Sequence, residues 1–302
     1  MTNSPNWFSE KMKTKVTHIR QARGKRLAGT TRRGDVNEAK VIFPIAGRGE
    51  AYELTGAIQD VKPMNPNRDK VSVDMRDYEA SSWIYTPDLS KLGPSETQTR
   101  AEELAFAINR KEDMIQWDAT ALFASSVTAV KKVGGATQAT TPQFFIANKA
   151  GIRGQGDNGQ YNIFCPVPEM AMEQLMLYKQ FSNSQWVGPE DLPMNQMSDM
   201  QVKNHRGIIY FTLPDEYFVN ASGVSIKDGA TDYFTYMWAS DAIGVETNWD
   251  EMAPDFNRIH EKEGSPWLGK VGMGGAAVGI LPEGVRRLQL KTIAEADLAL
   301  PA

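Results

Sequence analysis

The chain has 302 residues, 41% of them hydrophobic, and a formal net charge of −4, which is material for two ordinary domains or one elaborated one. One cysteine, Cys165, excludes an intramolecular disulfide and a multi-cysteine zinc site, and His18, His205 and His260 stand too far apart for a helical metal-ligand pair, so no metal or cofactor is expected and the histidines are read as structural. No run approaches the roughly eighteen apolar residues of a membrane span, and the N-terminus lacks a signal-peptide apolar block, so no membrane partner is expected.

Charge is unevenly spread. Residues 1–33 hold nine Lys and Arg against one acid, Glu10, a balance of +8, and the remainder, with 24 bases and 36 acids, carries −12. A basic arm on an acidic body can bind nucleic acid or the acidic body of another copy of the same chain. Trp7, Phe8, Val16, Ile19 and Leu27 within the arm argue that it docks somewhere.

After the arm, Val41, Ile42, Phe43 and Ile45 form a short extended run that Pro44 keeps at an edge or bulge, followed by a second extended piece over 51–58. Residues 61–69, rich in Pro and Asn, read as a turn, and Val71, Val73 and Met75 alternate with polar residues. Residues 40–75 thus read as a long hairpin with a wide tip. A two-stranded hairpin is marginal alone in water, so it is expected to find its partner on another surface. A probable strand over 81–85 follows, closed by Pro87.

The segment 93–127 reads as one long amphipathic helix, opened by a Ser95/Gln98 capping box. Leu104, Ala105, Ile108, Ile115, Ala119, Leu122 and Phe123 recur at helical spacing, and Arg100, Glu103, Arg110, Glu112 and Asp113 fall on the other face, giving a single apolar stripe.

Beyond the helix, 127–143 reads as loop or weak hairpin and Phe144, Phe145 and Ile146 as a short strand. Gly154, Gly156 and Gly159 make a formal G-x-G-x-x-G, but the dinucleotide fingerprint needs a strand before it and a helix opening on its last glycine. Here an extended segment, 161–164, follows and is expected to stop at Pro166, so a surface loop is the better reading. A helix over 169–181 with Met172 and Met176 as core filler comes next, then a buried strand over 208–213 and another over 233–238. In the last quarter, extended pieces at 243–245, 259–261, 267–280 and 285–290 are separated by Pro/Gly turns, which predicts an antiparallel meander covered by the long helix and joined by the Trp83 strand.

The order of basic arm, hairpin, strand, long helix, α/β insert and returning meander resembles the HK97 fold of tailed-bacteriophage major capsid proteins across essentially the whole chain. The return Arg68 to Val73 into Asp77-Tyr78-Glu79-Ala80, the helix from Ala101 to Phe123, and Gly275-Ala276-Ala277 to Gly284-Val285-Arg286 carry the resemblance. It implies an α+β, HK97-like fold with an N-terminal arm (1–40), an extended hairpin loop (41–76), a peripheral domain (77–127 and 239–302, its spine helix 94–127) and an axial domain (128–238). The function implied is structural, with copies forming pentamers and hexamers of an icosahedral shell around double-stranded DNA. Portal, scaffolding and decoration proteins are the further partners the resemblance implies. An encapsulin-like shell enclosing an enzyme uses the same fold. No catalytic residue is expected, and the contacts between subunits are expected at Trp7, Phe8, Arg20, Arg23, Arg26, Lys62, Pro63, Met64, Asn65, Pro66, Asn67 and Arg68.

Overall fold

The computed structural model describes residues 24–47, 68–85, 95–156, 161–182, 201–248, 255–295 and 298, with backbone alone for 95–99, 255 and 256. The chain begins with β1 (Arg32–Arg33), β2 (Asp35–Asn37), β3 (Lys40–Ala46), β4 (Arg68–Asp74) and β5 (Arg76–Ile84), then the helix α1 (Ser95–Ser126). It continues with β6 (Lys131–Gly134), α2 (Pro142–Arg153), β7 (Ile163–Val167), α3 (Glu169–Met176), α4 (Lys179–Ser182), β8 (Val202–His205), β9 (Ile208–Thr212) and β10 (Asp232–Ala239). The last quarter supplies β11 (Ile243–Asn248), β12 (Asp255–Arg258), β13 (Trp267–Gly279) and β14 (Val285–Lys291). No helix among the described residues is long and apolar enough to cross a membrane.

Three sheets result among the described residues. In the first, β13 pairs with β11, β12 and β5, and β1 adds to β11 in parallel. The N-terminal half of α1 lies on it: Leu104 and Ile108 pack with Val271 and Met273, with Tyr78, Ala80 and Ile115 alongside. A helix of about 48 Å at 1.5 Å per residue thus covers the meander, as its pattern predicts. The second sheet has the order β6-β14-β10-β7-β9-β8 and holds the largest core. Its register puts Tyr236 and Trp238 on one face, toward α1, and Tyr210 on the other, against Phe145 of α2 and Phe181 of α4. The third sheet is β2-β3-β4.

Several elements depart from the pattern-based reading. Phe144, Phe145 and Ile146 belong to α2, because Pro142 opens a helix in which Phe145, Asn148 and Ile152 recur at helical spacing on the buried side. Residues 131–134 form β6, a parallel neighbour of β14. The strand β7 runs through Pro166: its ladder with β10 ends at Phe164, and further along Thr235 donates its hydroxyl to the Pro166 carbonyl. The helix expected over 169–181 breaks into α3 and α4 at Leu177 and Tyr178. The meander keeps β11, β12 and β13, with β12 ending at Arg258, before Ile259; β14 leaves for the second sheet, where it pairs with β10 along its whole length.

The charged face assigned to α1 is also corrected. Glu112 and Asp113 are buried and Leu122 is 68% exposed. Midway along, the helix passes from lying on one sheet to lying between two, and Trp117 there donates to the Tyr217 carbonyl at 2.8 Å and packs edge-on against Phe218 and Tyr236. One apolar stripe no longer suffices for a helix covered from two sides. The expected cap at Ser95 and Gln98 rests on side chains outside the described residues.

His205 ends β8 with its ring buried and its centroid 5.0 Å from that of Phe181. Neither ring nitrogen has a hydrogen-bond partner among the described residues, and burial, with Arg206, Lys203 and Lys149 nearby, holds the imidazole below its ordinary range. The fold therefore favours the neutral ring, and that contribution is present above the unfolded value near 6.5 and lost as pH falls through it toward the depressed one. His205→Phe keeps the ring packing and removes the titration, so its melting temperature should fall less than the parent's between about pH 7 and 5. Equal slopes in thermal unfolding would contradict this.

Candidate functional site

Two elements carry exposed charged residues on a buried footing: the β3–β4 hairpin and the segment at the root of the basic arm. The hairpin is in register from Lys40 opposite Asp74 to Ala46 opposite Arg68. Its alternation turns Val41 and Phe43 inward, where both are fully buried against Ala276 and Ile280, flanked by Val73 and Val278. The Phe43 ring lies directly on Gly244, where an added Cβ would sit 2.4 Å from it, so the missing side chain is what lets the hairpin seat. The base of the hairpin therefore finds its partner within its own chain, contrary to the expectation from its composition. Its distal part, 48–67, lies outside the described residues.

The arm root crosses α1 and then joins the first sheet. Gly24 has a left-handed backbone (φ 78°), and a Cβ there would come within 2.3 Å of the Asn109 and Arg110 backbone. Lys25 donates its amide to the Asn109 carbonyl at 3.3 Å. The next two amides, of Arg26 and Leu27, both donate to the Asp113 carboxylate at 3.0 Å, and the Leu27 side chain is buried in the largest core. Gln116 donates to the Thr30 hydroxyl at 2.7 Å, and the Trp238 indole donates to the Thr30 carbonyl at 3.1 Å. The Arg26 guanidinium donates to the Thr212 carbonyl at 3.1 Å. Further on, Glu246 accepts from the Arg33 guanidinium at 3.3 Å and the Gly34 amide at 3.2 Å.

Burial is the largest influence on Asp113 and pushes its carboxyl up to about 6, against the two amides that favour the anion; Glu112 beside it adds to the rise. Glu112 itself accepts from the Thr247 hydroxyl. These groups hold chain in place and are not arranged for catalysis. The buried Cys165 thiol is pushed up by desolvation, away from the reactive thiolate. Gly151 lies within α2 and Gly154 caps its end, so the glycine run follows a helix and precedes a strand, the reverse of the dinucleotide order; Gly159 lies outside the described residues. Among the described residues no group of His, Cys, Asp and Glu could hold a metal.

Of the residues expected at subunit contacts, Trp7, Phe8, Arg20, Arg23 and the run Lys62, Pro63, Met64, Asn65, Pro66 and Asn67 lie outside the described residues. Arg68 heads β4, exposed and opposite Ala46. Arg26 is committed to Asp113 and Thr212 of its own chain, so it is a folding residue whatever else it meets. Sequence reasoning missed Asp113, Gln116, Thr30 and Trp238. A signal existed: Glu112, Asp113, Gln116 and Thr120 form a polar seam at helical spacing, which reads as solvent-facing unless a partner segment is in view.

A family model described as phage capsid protein matches residues 4–291 of the chain. No curated protein matches the sequence. Among solved structures, the chain is similar to the head of Helicobacter pylori bacteriophage KHP40 (TM-score 0.60, 11% identity, 97% of this chain and 96% of that one). It is similar also to the acid-stable capsid of Helicobacter pylori bacteriophage KHP30 (0.59, 11%, 97% and 98%) and to the capsid of cyanophage P-SCSP1u (0.59, 11%, 93% and 92%).

Proposed function

This chain belongs to the phage capsid protein family, and on that premise we propose that it is a major capsid subunit whose copies form pentamers and hexamers of an icosahedral shell around double-stranded DNA. The observation that carries the reading is a correspondence over the whole chain: the family match is nearly full length, and head and capsid proteins correspond to it from end to end. Within it, the HK97-like assignment makes α1 the spine helix (94–127), 1–40 the arm, 41–76 the extended loop, 77–127 with 239–302 the peripheral domain and 128–238 the axial domain. Strand β14, assigned with the peripheral segment, pairs with β10 in the second sheet. Trp7, Phe8, Arg20, Arg23, Arg26 and the hairpin tip from Lys62 to Arg68 are the contacts between subunits, and portal, scaffolding and decoration proteins are the further partners.

The cargo is testable. Particles from the producing host, treated with nuclease and then opened, should release protected double-stranded DNA. Closed particles that hold an enzyme and no DNA would overturn the virion reading in favour of a protein compartment.

A further inference from the structure

The arm root touches more of the fold than its length requires. Between Gly24 and Gly34 the chain meets α1 through Asn109, Asp113 and Gln116, the second sheet through Thr212 and Trp238, and the first sheet through β1 beside β11 and through Glu246. It lies N-terminal to all of these elements in the chain. What holds it is a set of buried polar groups: the Asp113 carboxylate accepts from the Arg26 and Leu27 amides, Gln116 donates to the Thr30 hydroxyl and the Trp238 indole donates to the Thr30 carbonyl. If the segment left, a carboxylate, an amide and an indole would be stranded in a buried seam, and buried polar groups without partners are costly. Partial detachment is therefore disfavoured, and the segment is docked or released as a unit.

We propose that residues 24–34 are a latch that fixes the two larger sheets against α1 and sets where the arm leaves the subunit, with Asp113, Gln116 and Trp238 as its positioning residues. The exit point is the middle of α1, at Asn109 and Arg110, where Gly24 rests on the helix backbone. The latch therefore fixes where the chain enters the described fold, at Gly24. The consequence for assembly rests on the shell-building reading; the latch itself does not.

The test is hydrogen exchange by mass spectrometry on the full chain, comparing the parent with Asp113→Asn, Trp238→Phe and the double variant. Asparagine leaves one oxygen for two amides, and phenylalanine keeps one six-membered aromatic ring but loses the pyrrole half of the indole and the donor to Thr30. Exchange over 24–34 should quicken by about tenfold or more in the double variant, with β9 and β10 keeping their protection, and particles from that variant should be irregular in size. Unchanged exchange over 24–34 would overturn the latch. So would equal loosening of β9 and β10, because the substitutions would then merely unsettle the core. An opened latch with uniform shells would overturn its role in assembly. A parent protein that forms no shells would count against the shell reading, with the latch still judged by exchange.

Discussion

Replacing residues 47–67 with an Asn-Gly turn should abolish shell closure and leave the subunit folded. The turn suits the site, because Ala46 stands opposite Arg68 in register and a two-residue Asn-Gly loop matches the twist of paired antiparallel strands. The base does not depend on the tip: Val41 and Phe43 are buried against Ala276 and Ile280 of the same chain. Circular dichroism and the thermal midpoint should thus change little. What is removed is a span of 21 residues, including the Pro- and Asn-rich run from Lys62 to Asn67, which has little apolar material for a core of its own and which we propose lies on a neighbour. Shells of normal size and stability from the shortened protein would contradict the role given to the hairpin.

Much of this architecture was legible in the sequence because it rests on local periodicity. The long helix and the hairpin return through Val71 and Val73 show their period within one element, and the strands around Tyr210 and Tyr236 read as buried from their continuous apolar runs. The failures share a cause, which is that neighbours distant in sequence decided the outcome. Phe144, Phe145 and Ile146 look like a strand by composition, and become helical because Pro142 opens a turn and the second sheet takes Phe145 from one side. The strand β14 carries the same apolar pattern whether it joins the meander or β10, and only tertiary pairing selects between them. Glu112 and Asp113 look solvated until Thr247, Arg26 and Leu27 are brought over them. The arm root was therefore the least legible part of the site, since its partners lie far off in sequence, Trp238 being 208 residues from Thr30.

The second large effect expected is assembly itself. Residues 1–23, upstream of the docked segment, carry five Lys and Arg against Glu10, a balance of +4, with Trp7 and Phe8 among them, and the remainder carries −8, which favours contact between copies; because exposed charges are screened within about 8–10 Å at ordinary ionic strength, association should slow as salt is raised. The most direct test is electron microscopy of the purified chain at micromolar concentration and low salt. The account predicts closed icosahedral shells or their capsomers, with the hairpin of each subunit lying across its neighbour. A field of single, monodisperse subunits of 33.5 kDa under every condition tried would contradict it.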